Sequence, residues 1–309
     1  MSAPSTRALE AGRDALLAVP ETHRESLWVR GSESLSWLNG LVTADLAALG
    51  PNQGAYALLL NKQGKVQTDL DVLAIDGGLA LGVAPGRSQP IAEMLERFLV
   101  MEDAELSPAS DVSWLRLFGP RAASVATGLA SGTGVVASGA IDWLGLGGAA
   151  LLVSSDALDQ VAAEAVRRAG TGAALATPED WDVLRVAEGF PVFGVDYGPE
   201  DNPHEASLDR RAVSFSKGCY LGQEVVCMQD MRGKLKRRLV VLRFLEGHAP
   251  TDARDVFAEG VAEPVGRVSS LALGGTAPLA LARLKAPFFE AAAALRVGQE
   301  RAEIVPPTR

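Results

Sequence analysis

The chain is poor in sulfur, imidazole and aromatic rings. Its 309 residues include two cysteines, Cys219 and Cys227, and aromatic residues make up 6%. Two thiols exclude a disulfide framework, and one chain alone cannot build a four-cysteine iron–sulfur site. The three histidines, His23, His204 and His248, are scattered and show no metal-ligand spacing, so no metal site is expected. No stretch reaches the ~18 apolar residues of a membrane span. The longest weakly polar run, Trp143 to Val153, is short and contains three glycines. The N-terminal segment lacks a basic-then-apolar signal pattern, and Glu10, Asp14 and Glu21 argue against an organelle transit peptide. A cytoplasmic protein with reduced thiols and no membrane partner is expected. Positive charge is also short, with 29 Lys+Arg against 38 Asp+Glu and a net of −9. Bulk attraction to phosphate is therefore not favoured, and nucleic acid is not an expected partner.

What is present is an ordinary globular composition, 48% hydrophobic and 22% charged, and a length of about two domains. Residues 1–25 read as a polar lead-in with one helix. Trp28 to Arg30 is a short strand, and Ser32 is placed to cap a helix carrying Leu35, Leu38, Leu41 and Val42. Strands follow over 54–60, 65–75 and 79–83, separated by Asn61-Lys62-Gln63-Gly64 and Asp76-Gly77-Gly78 turns. A helix runs from Pro90 to about Val100. A second block echoes the first: a strand over 114–118, a helix over 121–129, strands at about 141–146 and 149–154, and a helix at about 156–169. Gly31…Gly40-Leu41 aligns with Gly119…Gly128-Leu129. Thr177-Pro178-Glu179-Asp180 starts a helix that stops at Gly189. From Arg237 short apolar runs alternate with turns, the pattern of a small β-barrel. The fold class is α+β, with residues 1–236 as two related halves (about 26–105 and 110–236) and 237–309 as a β-barrel domain.

The chemistry concentrates in Ser214-Phe215-Ser216-Lys217-Gly218-Cys219-Tyr220-Leu221-Gly222-Gln223-Glu224. Gln223-Glu224-Val225-Val226 reads as the start of a helix. A thiol at a helix N-terminus beside a lysine is expected to have a depressed pKa. The alternative is an inert cysteine buried beside a turn. Cys227, eight residues on, is too far along a helix to pair with Cys219 and reads as a core residue.

Lys217-Gly218-Cys219-Tyr220-x-Gly222-Gln223-Glu224 resembles the K-G-C-[YF]-x-G-Q-E signature of the YgfZ family. These are folate-binding proteins that assist iron–sulfur cluster assembly and repair. They share a fold with the T-protein (aminomethyltransferase) of the glycine cleavage system. The likeness extends through Gly31…Trp37-Leu38-x-Gly40-Leu41-x-Thr43-x-Asp45-Leu46, Tyr56…Leu60-Asn61-x-x-Gly64 and Thr68-Asp69-Leu70. It continues through Arg185-x-x-x-Gly189-x-Pro191-x-x-Gly194, Pro203-x-Glu205-Ala206-x-Leu208 and Arg232-Gly233 before Lys236-Arg237-Arg238-Leu239. The resemblance implies two ferredoxin-like α+β units and a C-terminal β-barrel around a central channel holding tetrahydrofolate or a related reduced folate.

The resemblance also implies roles. A carboxylate can grip the amide edge of a pterin, and aromatic rings can stack on its face. The Tyr and Asp that line the superfamily's cavity fall at Tyr56 and Asp69. The acid before the Gly-x-Pro loop is nearest at Glu188, one position from the T-protein register at Ala187. For Asp69 the alternative is an exposed strand acid, and for Tyr56 it is core packing. The cluster Arg232, Lys234, Lys236, Arg237 and Arg238 could capture a folate glutamate tail, contact nucleic acid or form a solvated strand edge; Arg232 belongs to the motif. T-proteins carry an acidic pair at Thr68-Asp69 and an Asp-Phe-x-Gly segment at Cys219-Tyr220-Leu221-Gly222, so glycine-cleavage activity is not expected. The implied function is a tetrahydrofolate-binding accessory factor that serves iron–sulfur enzymes as clients through Cys219. Two other functions fit the same cavity: a C1-transfer aminomethyltransferase or demethylase using Asp69, and a non-catalytic folate sensor or scaffold.

Overall fold

The computed structural model describes residues 6–50, 52–274, 277–290 and 294–307. The outermost residues of the expected domain spans, 1–5 and 308–309, lie outside these. The first elements are α1 (Thr6–Asp14), β1 (Leu17–Glu21), β2 (Glu25–Arg30), α2 (Ser34–Asn39), β3 (Gly54–Leu60), β4 (Val66–Ile75), β5 (Gly78–Val83), α3 (Ser88–Glu96) and β6 (Glu105–Ala109). Then come β7 (Val112–Phe118), α4 (Ala122–Leu129), β8 (Val135–Ala140), β9 (Gly148–Ser154), α5 (Leu158–Ala169), β10 (Ala174–Leu175), α6 (Pro178–Ala187) and α7 (Gln223–Arg232). The last six strands are β11 (Arg237–Phe244), β12 (Asp255–Ala258), β13 (Gly266–Ala272), β14 (Leu279–Lys285), β15 (Leu295–Val297) and β16 (Glu300–Val305).

The first sheet has the order β3-β4-β5-β2-β6 and is antiparallel throughout. Without edge strand β3, its path β2-α2-β4-β5-α3-β6 is the split β-α-β-β-α-β arrangement of ferredoxin-like units. The second sheet, β10-β1-β7-β9-β8, repeats that path as β7-α4-β8-β9-α5-β10. One strand is added: β1 inserts between β7 and β10, antiparallel to the first and parallel to the second. The expected polar lead-in is thus an interior strand of the second unit. Its Leu17, Ala18 and Val19 are buried, an apolar run too short to stand out between polar flanks.

The glycine echo has a structural basis. Gly31 and Gly119 each follow the first strand of a unit and have φ of +124° and +121°. A Cβ would lie 2.1 Å from the Asp103 carbonyl oxygen at Gly31, and 2.7 Å from that of Ala15 at Gly119. Both turns therefore require glycine. Three local expectations shift. Ser32 does not cap α2; Glu33 occupies that position and Ser32 bonds Asp103 Oδ2 at 2.6 Å. The strand expected at 141–146 lies at Val135–Ala140. Strands β6, β10, β12 and β15 are short and lack a distinct apolar run. The capping box at α6 forms as read, with Asp180 N–H donating to Thr177 Oγ1 at 3.2 Å and Thr177 N–H to Asp180 Oδ2 at 3.1 Å.

Strand alternation divides the cores. In β3 and β4, Ala57, Leu59, Leu70 and Val72 face α2 and α3. Tyr56, Leu58, Leu60 and Leu73 face the second sheet, where they meet Trp114, Phe118, Trp143 and Phe190. The bridge between Gln53 and Ala140 joins the two sheet edges. The six-stranded barrel closes in the order β11-β14-β13-β12-β15-β16 and seats Leu239, Val241 and Leu281 against Val183 and Val186 of α6. Among the described residues no helix is long and apolar enough to cross a membrane.

Candidate functional site

Two acids of β4, Asp69 and Asp71, lie on the inner face among apolar neighbours. Asp71 is fully buried and fully partnered. Its Oδ2 accepts from Arg116 Nη2 at 2.6 Å and Nε at 3.0 Å, and its Oδ1 accepts from Trp143 Nε1 at 2.8 Å. Arg24 Nε adds an ion pair at 2.8 Å, although its N–H is not aimed well enough for a hydrogen bond. Burial alone raises the Asp71 pKa, but Arg116 and Arg24 outweigh it and hold the carboxyl below the usual range.

Asp69 is 5% exposed and its Oδ2 has one long contact, to Arg24 Nη1 at 3.4 Å. Its Oδ1 is buried without a partner. The hydroxyls of Tyr56 and Tyr197 are buried in the same state: they feel one another and Asp69, yet neither makes a well-formed hydrogen bond. Burial, then the neighbouring Asp69 charge, pushes Tyr56 well above its usual pKa. Burial, then Tyr56 and Asp69, do so for Tyr197. Both stay protonated donors at neutral pH. Aromatic rings frame the group: Phe190 lies 5.4 Å from Tyr56, and Phe193 makes an edge contact with Tyr197 at 5.4 Å. Arg87 sits over Phe193 at 5.6 Å with its Nε also unpartnered.

The other expected cofactor residues are Glu188 and Arg232. Glu188 is 1% exposed, and its Oε1 accepts from Arg13 Nη2 at 2.7 Å and Nε at 2.9 Å. Arg232 is exposed at the C-terminal end of α7. In the basic cluster Arg237 is tied to Asp201 and Glu205 at 3.1 and 3.4 Å.

The cysteine loop packs on the far end of the β3–β4 hairpin. Gly222, the N-cap of α7, has φ +80°, and a Cβ there would lie 2.5 Å from the Asn61 carbonyl oxygen. Gly218 differs: a Cβ there meets nothing within 4 Å. Asp69 pairs with Leu58, three residues from Asn61, so the loop lies about 10 Å along the hairpin from Asp69. Cys219 is exposed. It precedes the N-cap by three residues and so lies outside the first turn, where the helix dipole acts. Nor is Lys217 directed to the thiol. Its ammonium donates to Asn39 O, Asn39 Oδ1, Val42 O and Ala44 O at 2.6–3.0 Å. Burial lowers its pKa to about 8, with Asp45 acting in the opposite direction. Lys217 therefore anchors the loop to the segment after α2, a contact between two motifs far apart in sequence. Tyr220 is buried with its hydroxyl unpartnered, and burial and then Cys227 raise its pKa. Gln223 and Glu224 open α7, with Glu224 exposed at its positive end. Cys227 is half-buried, not a core residue.

Arg24, Asp71, Arg116 and Tyr197 were missed in the sequence. Asp69-Leu70-Asp71 did carry a signal, since two acids at alternate positions in an apolar strand share one face and require partners.

The fold is that of the glycine cleavage T-protein. Residues 7–144 match the family described as GCVT N-terminal domain. The structure is similar to glycine cleavage system aminomethyltransferase T from Bartonella henselae, with a TM-score of 0.76, 17% identity, and coverage of 97% of this chain and 87% of that one. In sequence the chain is similar to proteins named tRNA-modifying protein YgfZ. It is 28% identical to the one from Cronobacter sakazakii over 74% of this chain and 71% of that protein. It is 26% identical to one from Escherichia coli strain SE11 over 74% and 72%.

Proposed function

We propose that this chain is a cytoplasmic tetrahydrofolate-binding accessory factor for the assembly or repair of iron–sulfur enzymes. The observation that carries the folate reading is the buried group of Asp69 Oδ1, Tyr56 Oη and Tyr197 Oη, three polar atoms without partners in one place. Each such atom costs about 1–3 kcal/mol unless something satisfies it. A reduced pterin has the matching chemistry. Its amide and amino N–H groups suit a carboxylate, its carbonyl and ring nitrogens suit hydroxyl donors, and its face suits Phe190 or Phe193. Bound folate would supply a one-carbon carrier; Asp69 would fix the ring's orientation, and Tyr56 and Tyr197 would donate to it. The three atoms are buried, so in this reading binding requires the side chains around them to give way.

Cys219 supplies the second half of this reading. As an exposed thiol on an anchored loop, it can lend one sulfur to a cluster whose other ligands belong to the client. The relatives are named for tRNA modification. In this reading the tRNA chemistry belongs to a cluster-bearing client, because a net charge of −9 gives this chain little hold on RNA.

The test is a titration with tetrahydrofolate, repeated on Asp69→Asn and Tyr197→Phe. Asp69→Asn is expected to weaken binding at least about tenfold, the loss of a charge-assisted contact, and Tyr197→Phe about threefold or more, the loss of a neutral hydrogen bond. Unchanged affinity in both refutes the site. Cys219→Ser is expected to retain folate binding and to lower the activity of a cluster enzyme in cells; unaltered client activity removes the thiol from the mechanism. Turnover of an aminomethyl donor to methylene-tetrahydrofolate, abolished by Asp69→Asn, would instead favour a C1-transfer enzyme.

A further inference from the structure

A second polar cluster lies between the 202–209 turn and α7. His204, Asp209 and Asp230 each offer one ligand atom, and the three atoms lie within 4.8 Å of one another. His204 and Asp209 are both 6% exposed, and the Asp230 side chain is 30% exposed. The separation of His204 Nε2 and Asp230 Oδ1 is 3.4 Å, long for a hydrogen bond. It is the spacing of two ligands on one ion: metal–nitrogen and metal–oxygen bonds of about 2.0–2.2 Å put neighbouring ligand atoms about 3–4 Å apart. His204 Nδ1 is buried without a partner, so neither nitrogen of this enclosed ring is well satisfied.

A cation already sits at this place. Arg210 Nη2 lies 3.0 Å from Asp230 Oδ1, and Arg210 Nε lies 3.3 Å from Asp209 Oδ2. Its side chain is 71% exposed and rests over Phe215 at 5.4 Å. It also lines an open cleft of about 320 Å³ against the barrel. The guanidinium thus marks the position of positive charge and has room to leave it. A neutral imidazole with two carboxylates carries two negative charges, matched to a divalent ion, and this donor set suits first-row transition metals.

We propose that His204, Asp209 and Asp230 form a divalent transition-metal site that clamps the last turn of α7 to the 202–209 turn, the ion displacing Arg210. Spacing along the chain gives no hint of it, since 26 residues separate His204 from Asp230. The site is independent of the folate reading.

The test is calorimetric titration of the chelator-stripped full chain with Zn²⁺, with Co²⁺ absorption as a second probe. It is run on the native chain and on a Cys219→Ser, Cys227→Ser chain, which excludes thiol ligation. One equivalent is expected to bind in both. Asp230→Asn, on a partly exposed helix position, is expected to weaken binding at least about tenfold, as is His204→Ala. Arg210→Ala is expected to tighten it about threefold by removing the competing cation. Far-ultraviolet circular dichroism confirms that each variant folds. The site is overturned by non-saturable or sub-stoichiometric binding in both the native and Arg210→Ala chains. It is equally overturned if Asp230→Asn binds like the native chain.

Discussion

Asp69 and Asp71 are two residues apart on one face of one strand, yet they do different things. Asp71 is closed on all sides by Arg116, Arg24 and Trp143, which join the two α+β units. Asp69 shares Arg24 at a long 3.4 Å and leaves Oδ1 unpartnered beside two unpartnered tyrosine hydroxyls. One carboxylate is satisfied by its neighbours and the other is not. Burial of a charge does not reveal its role; the completeness of its partners does.

The comparison breaks if the two acids prove equivalent. Asp71→Asn leaves Arg116 and Arg24 buried against a neutral group. It is expected to lower unfolding free energy by about 3–5 kcal/mol in a denaturant titration, while Asp69→Asn costs less than about 1 kcal/mol. Equal losses would refute the division. The pH dependence sharpens it. The Asp71 pKa is lowered on folding, so the unfolded chain binds more protons near that pKa. Its contribution is full above the ordinary carboxylate value of about 4 and disappears as pH falls through the folded value. Urea midpoints measured downward from pH 7 are expected to fall less steeply below pH 4 in Asp71→Asn than in the native chain. An identical slope would show that Asp71 is not held in this way.

A smaller effect separates the two glycines of the cysteine motif. Gly222→Ala forces a Cβ into a left-handed position against Asn61 and is expected to cost about 2 kcal/mol. Gly218→Ala meets open space and is expected to change stability by less than about 0.5 kcal/mol. If Gly218→Ala nonetheless impairs client activity, that glycine keeps approach to Cys219 clear. Thermal unfolding of both variants decides between a fold role and a surface role.

Much of the architecture was legible because periodicity and turn chemistry are local. The hairpin at Asn61–Gly64, the capping box at Thr177 and the paired Gly31 and Gly119 each depend on a few adjacent residues. The short strands β6, β10, β12 and β15 were not legible, because pairing with neighbours, not an apolar pattern of their own, makes them strands. The motif marked Cys219 but not its setting: Lys217 points to Asn39, Val42 and Ala44, and the thiol stands ahead of the helix end.

Composition and pattern alone determined the class of fold, the repeated units, the barrel and the motif that resembles the YgfZ signature. Tertiary structure alone decided that β1 enters the second sheet, that Asp71 is satisfied while Asp69 is not, and that His204 meets Asp209 and Asp230. The reason is physical. Propensities act over a few residues, whereas the satisfaction of a buried charge depends on groups that arrive from far along the chain only after the sheets have packed.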